Sequence, residues 1–242
     1  MFAVLVVTGA AAGAAAQGSQ NSLVFSSATA AELVIESTVV AEQAAAVRQN
    51  IESEVGDGDD VVSQEELDAF EASFVAYAHE NRDRLREDSD IRLDGDRPSE
   101  ADLTSYELAG ATGPVGSQEP IDLRTAIDFE WAAPDGDRHT LALGTVASQG
   151  ADDVRTTFMA PPGFHIADFR NMPSGASLSP DGRTLNVTGS SEDALVVFQR
   201  DGTGGGSGGW LAGPSWALAV AAVAAAAVAA GRAAGMRAGR DR

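Results

Sequence analysis

The chain has 242 residues and a formal net charge of −20 at neutral pH, and all 16 basic residues are arginine. So acidic a surface repels polyanions, which excludes nucleic acid and anionic headgroups as partners. There is no cysteine, so no disulfide staples the fold.

Residues 1–16 read as a signal peptide. Phe2 to Val7 is apolar, small residues follow, and Ala14-Ala15-Ala16 offers a small-x-small cleavage site before Gln17. No arginine precedes the apolar run, so only the α-amino group supplies positive charge there. An uncleaved anchor or a buried strand is the alternative for this segment.

Residues 17–200 read as one extracellular α+β domain, mainly antiparallel β and sandwich-like, with an inserted helix pair over 41–88. Ser22–Ser26 and Glu32–Val40 are rich in β-branched and large apolar residues and predict strands. Ala44, Val47, Ile51 and Val55 then fall on one helical face, and Leu67, Phe70, Phe74 and Tyr77 on another. Ser63 followed by Glu66 makes a capping box for the second helix.

The acidic segment Gly56-Asp57-Gly58-Asp59-Asp60-Val61-Val62 joins the two helices. With its flanking helices it resembles an EF-hand, a family that binds Ca²⁺ through a 12-residue loop. The resemblance implies oxygen ligands at alternating loop positions, a glycine at the sixth and a hydrophobe at the eighth. With Val62 as that hydrophobe, Asp57, Asp59, Ser63 and Glu66 become the candidate metal ligands, and Val61 adds its carbonyl. Val55 then stands at the first position and Asp60 at the glycine position. With Val61 in that place instead, Glu54 and Glu65 supply the ends, and Gly56 and Gly58 replace two ligands. Either way the loop is degenerate. The implied outcome is a loop that only shapes the fold or one that binds Ca²⁺ weakly.

Residues 89–200 form the β-rich part. Expected strands are Ile91–Asp94, Leu103–Ala109, Ile121–Trp131, Thr140–Val146, Val154–Met159, Phe164–Phe169, Thr184–Thr188 and Ala194–Gln199, with Asp-Gly turns at 94–95, 135–136 and 181–182. Ser179 to Leu185 resembles a turn of β-propeller blades, but a single copy predicts only a hairpin. Asn186-Val187-Thr188 is a glycosylation sequon. His79, His139 and His165 lie in different elements and show no helical zinc spacing. Gly205 to Gly209 matches a nucleophile-elbow pattern, yet no strand precedes it.

Residues 201–209 are glycine-rich and read as a flexible tether. Trp210 to Gly231 carries no charge, and a helix of that length spans about 33 Å, enough for the hydrocarbon core of a bilayer. Trp210 and Trp216 suit the outer interface. Arg232, Arg237, Arg240 and Arg242 make residues 232–242 a basic tail on the cytoplasmic side. A soluble alanine-rich helix is the alternative.

Acid excess without lysine or cysteine, in an Ala-, Gly- and Val-rich chain, resembles exported, C-terminally anchored surface proteins of halophilic archaea. Some of these carry a Pro-Gly-Phe sorting signal before the apolar helix. Here Gly213-Pro214-Ser215 stands in its place, while Pro162-Gly163-Phe164 lies far upstream. The sequence therefore predicts a single-pass cell-membrane protein with its N-terminus outside. Its lipid contact is 210–231, its other partner is an unspecified protein or glycan, and no cofactor is required. The expected role is non-catalytic: interaction, adhesion or envelope structure. The alternatives are a Ca²⁺-responsive binding module and a surface hydrolase using acidic residues.

Overall fold

The structure, a computed structural model, describes residues 19–132, 136–145, 154–189 and 192–202. All fall within the unit Met1–Gly204. The signal segment 1–16, most of the glycine tether, the apolar stretch 210–231, the tail 232–242 and Asp135 of the second Asp-Gly turn lie outside the described residues. Among the described residues no helix is long and apolar enough to cross a membrane.

The fold is mixed α+β, with three helices and mostly antiparallel sheets among the described residues. The chain opens with the hairpin β1 (Gln20–Ser27) and β2 (Ala30–Val39), then α1 (Glu42–Val55), β3 (Val61–Val62), α2 (Gln64–Glu80) and α3 (Arg82–Asp88). There follow β4 (Ile91–Leu93), β5 (Glu100–Ala109), β6 (Gly113–Pro114), β7 (Ile121–Glu130), β8 (Arg138–Thr145), β9 (Arg155–Met159), β10 (Phe164–Arg170), β11 (Ser177–Leu178), β12 (Thr184–Thr188) and β13 (Glu192–Arg200).

Seven strands form one sheet in the order β11-β12-β9-β1-β2-β7-β5, and four form a second in the order β10-β13-β8-β4. Among the described residues of these sheets β1 with β9 is the one parallel pair. Side chains of both sheets meet in one core. Leu23, Phe25, Phe158 and Leu185 come from the larger sheet, and Leu141, Ile166, Val196 and Phe198 from the smaller. Phe25 lies edge-on to Phe198 at 5.1 Å between centroids and stacks on Trp131 at 6.0 Å.

The larger sheet is longer than its partner, and the helices cover the remainder of the same face. Alternate residues of β7 point one way. Ile127 and Phe129 enter the core between the sheets, while Ile121 enters a second core with Ala44 and Ile51 of α1, Val62 of β3, and Leu67 and Phe70 of α2. The opposite face carries charged residues beside apolar ones such as Val24, Val34 and Met159. Register there sets Glu32 opposite Asp128, and Asp128 opposite Asp102, while Arg124 sits between Glu36 and Glu107.

The strands expected from the sequence all form, with ends shifted by a few residues. Four elements were not foreseen. The α3 sequence RDRLRED has only Leu85 as an apolar anchor, so no helical stripe is visible. Strands β3, β6 and β11 hold two residues each, too short for any alternation to register.

Candidate functional site

Two neighbouring regions of the helical side concentrate chemistry. The first is the loop between α1 and α2. Helix α2 begins with the full capping box: Ser63 Oγ accepts the N–H of Glu66 at 3.2 Å, and Glu66 Oε2 accepts the N–H of Ser63 at 2.7 Å. Glu66 Oε1 also accepts the N–H of Asp57 at 3.0 Å. Hydrogen bonds from the Ser63 backbone and side chain, then from Asp57, hold the Glu66 carboxyl below the usual carboxylate range. Both of its oxygens thus serve the loop backbone, and Ser63 serves the cap.

The structure brings Asp57 and Asp59 together with Glu52, a residue absent from the predicted ligand set. One carboxylate oxygen from each lies within 4.8 Å of the others. Helix α1 ends at Val55, and the chain then turns back over its last turn. Position 56 must be glycine for this, because a Cβ there would collide with the Glu52 carboxylate and carbonyl. Glu52 Oε1 accepts the N–H of Gly58 at 2.9 Å, while Oε2 is buried with no hydrogen-bond partner. Asp57 and Asp59 accept the N–H groups of Asp59 and Val61, at 3.2 Å and 2.8 Å. Three converging carboxylates suit a hard cation with oxygen ligands. With Glu66 spent on the backbone, such an ion would rest on Glu52, Asp57 and Asp59.

This loop is joined to a second one. Val61 pairs with Pro114 and Val62 with Gly113, and the N–H of Val115 donates to the Asp60 carbonyl at 3.1 Å. Beneath them Arg48 of α1 is fully buried. Its guanidinium donates to the carbonyls of Gly110 at 2.6 Å, Ser117 at 2.9 Å and Glu119 at 3.0 Å. The residue holds the 110–120 loop against the helix pair.

The second region is a trough of about 550 Å³ between α2 and the edge strand β5. Ala72, Val75 and Ala76 give it an apolar floor, Tyr106 a wall, and Asp68, Glu71 and His79 a polar rim. An exposed strand edge invites unwanted pairing. Here Glu71 blocks it, accepting the N–H of Leu108 at 2.6 Å. Burial pushes the Glu71 carboxyl above its ordinary value, against the pull of that N–H and with help from the charges of Asp68 and Glu107. Tyr106 stacks on Phe74 at 4.1 Å. Burial, and secondarily the Glu71 charge, raise its hydroxyl to about 12. His79 Nδ1 lies 3.3 Å from Asp102 at the far end. It stands eight residues from Glu71, about 12 Å along the helix, too far for both to act on one bond.

The other two histidines also sit against aspartates, in separate places. His139 is buried and bonds Asp94 at 2.8 Å, and His165 bonds Asp201 at 2.9 Å. Asn186 is exposed on β12, where its Oδ1 accepts the Thr157 hydroxyl at 3.0 Å.

Sequence reasoning missed Arg48, Glu52, Glu71 and Tyr106. A signal existed for two of them. Arg48 lies four residues after Ala44 and three before Ile51, inside the apolar stripe of α1. Glu71 lies four after Leu67 and three before Phe74, inside that of α2. A charge on the inward stripe of a helix marks a place where the backbone needs a partner.

No protein-family model matches the chain, and no curated protein matches it.

Proposed function

We propose that this chain is an exported, non-catalytic interaction module held at the cell membrane. Its sandwich-like β domain stands outside on the tether 201–209, the helix over 210–231 crosses the bilayer, and the arginine tail lies in the cytoplasm. The observation that carries the binding reading is the open trough along α2 and β5. Its floor is apolar, its rim is charged, and its shape suits a segment laid along the surface better than an enclosed small molecule. The acidic exterior suits a surface protein of a high-salt setting, where hydrated carboxylates keep the domain soluble.

The topology is tested with a tag after Arg242. On intact cells the expected result is a tag resistant to added protease while the domain is cut. A digested tag, or full-length chain in the soluble fraction, overturns it. The binding role is tested by a photo-cross-linking residue at Ala76 against one at Thr157 on the outer sheet face. Adducts confined to Ala76 support the trough as the contact; equal labelling of both positions removes it.

A second reading, a Ca²⁺-responsive binding module, is favoured by the buried, unpartnered Oε2 of Glu52 beside Asp57 and Asp59. It expects a saturable calorimetric response to Ca²⁺ in concentrated KCl that Glu52→Gln abolishes. A response unchanged in that variant removes it.

A further inference from the structure

We propose that the α2–β5 trough recognises an arginine side chain of the partner, its guanidinium meeting Asp68 and Glu71 and its stem lying on Ala72, Val75 and Ala76. This rests on the binding reading above and names the chemistry it selects.

Charge complementarity carries the argument. Asp68 and Glu71 are one helical turn apart, so their carboxylates rise from the same face. Asp68 is held through Oδ1 by the Gln64 amide at 2.7 Å, and Glu71 through Oε1 by the Leu108 N–H at 2.6 Å. Neither bond uses Asp68 Oδ2 or Glu71 Oε2, and both residues line the trough. No arginine lines the trough, and its one basic group, His79, is engaged with Asp102 at the opposite end. Glu71 is partly desolvated and shares the rim with Asp68, while Glu107 is paired with Arg124, so a bound cation offsets the repulsion between the two rim carboxylates. A guanidinium fits better than an ammonium. It is flat, offers paired donors to two carboxylates, and can lie against the Tyr106 ring. The alanines at 72 and 76 leave room for the methylene stem, which packs on apolar surface while the charged head stays at the rim.

The test uses the full-length chain labelled with 3-fluorotyrosine. Only Tyr77 and Tyr106 then report in ¹⁹F NMR, and Tyr77→Phe assigns them. The probes are the blocked peptides acetyl-Ala-Ala-Arg-Ala-Ala-amide and its glutamine and lysine counterparts. The expected result is a saturable shift of the Tyr106 signal with the arginine peptide. Binding should weaken about tenfold with the glutamine peptide and in Glu71→Gln, as fits loss of one charge-assisted contact. Glu71→Gln keeps an acceptor for Leu108 N–H, so the fold is retained. Ala76→Leu, at an exposed position, should fill the trough and abolish the shift. A Tyr106 signal that moves equally with the arginine and glutamine peptides overturns charge recognition but leaves the trough a binding surface. A signal that none of the peptides moves overturns both.

Discussion

The guanidinium of Arg48 donates to the Gly110 carbonyl at 2.6 Å from a position with no exposed surface. With Ser117 and Glu119 it satisfies three carbonyls of one loop, and no carboxylate takes part in these bonds. A buried charge solvated only by backbone dipoles ties loop to helix, and the loop then pairs with the acidic segment through β3 and β6. Arg48→Ala should therefore cost about 3–5 kcal/mol, since it leaves several buried acceptors unpaired and a cavity. Arg48→Lys should also destabilise, because a single ammonium cannot span all three carbonyls. Urea unfolding monitored by circular dichroism measures both. A midpoint unchanged in Arg48→Ala would contradict the assignment.

Tyr106 predicts an alkaline weakness. Its hydroxyl titrates near 12 in the folded chain against 10 when unfolded, so the folded state holds its proton longer. The stabilisation is complete below pH 10 and is lost as pH rises from 10 through 12. The two-unit difference amounts to at most about 3 kcal/mol. In Tyr77→Phe, phenolate absorbance should report one late titration, and Tyr106→Phe should flatten the fall in stability across that window.

The capping box predicts an acid-side effect of opposite sign. The Glu66 carboxyl is lowered by the bonds from Ser63 and Asp57. Its contribution is present above the unfolded value of 4.5 and fades as pH falls through the lower folded value. Ser63→Ala should cost about 1 kcal/mol at neutral pH, the usual worth of an N-cap. Glu66→Gln should lower stability at neutral pH and lose that effect in acid, to the same extent with and without Ca²⁺. Thermal melts at pH 7 and pH 3 compare them.

The row Glu32, Asp128 and Asp102 predicts salt dependence. Like charges directly opposite on neighbouring strands repel, and the effect is screened over about 3 Å in 1 M salt. Asp128→Thr removes the central charge and keeps strand preference. It should raise the melting temperature by about 1–3 °C at low salt and by nothing measurable in molar KCl. An equal gain at both salt levels would point to strand propensity instead of charge.

Much of this architecture is legible in the sequence, because its signals are local. The face through Ala44, Val47, Ile51 and Val55 gave α1, and Ser63 with Glu66 marked the start of α2 to the residue. The strand pattern from Ile91 onward needed only runs of apolar residues broken by Gly, Pro and Asp. Each of these follows from neighbours within a few positions, where backbone preference and side-chain period dominate.

The tertiary structure alone decided which groups meet. The acidic segment contains enough carboxylates for several ligand sets. Its true geometry depends on Glu66 turning both oxygens to the backbone and on α1 ending where Glu52 faces Asp57 and Asp59. The tasks of Arg48 and Glu71 depend on strands and loops some 40 to 70 residues away in the chain, at Leu108, Gly110, Ser117 and Glu119. Local preference can place a charge on an inward helical face. Only the packing of that face against β5 and the 110–120 loop determines the carbonyl or N–H it must satisfy, since an unpaired buried polar group costs more than most local preferences can offset.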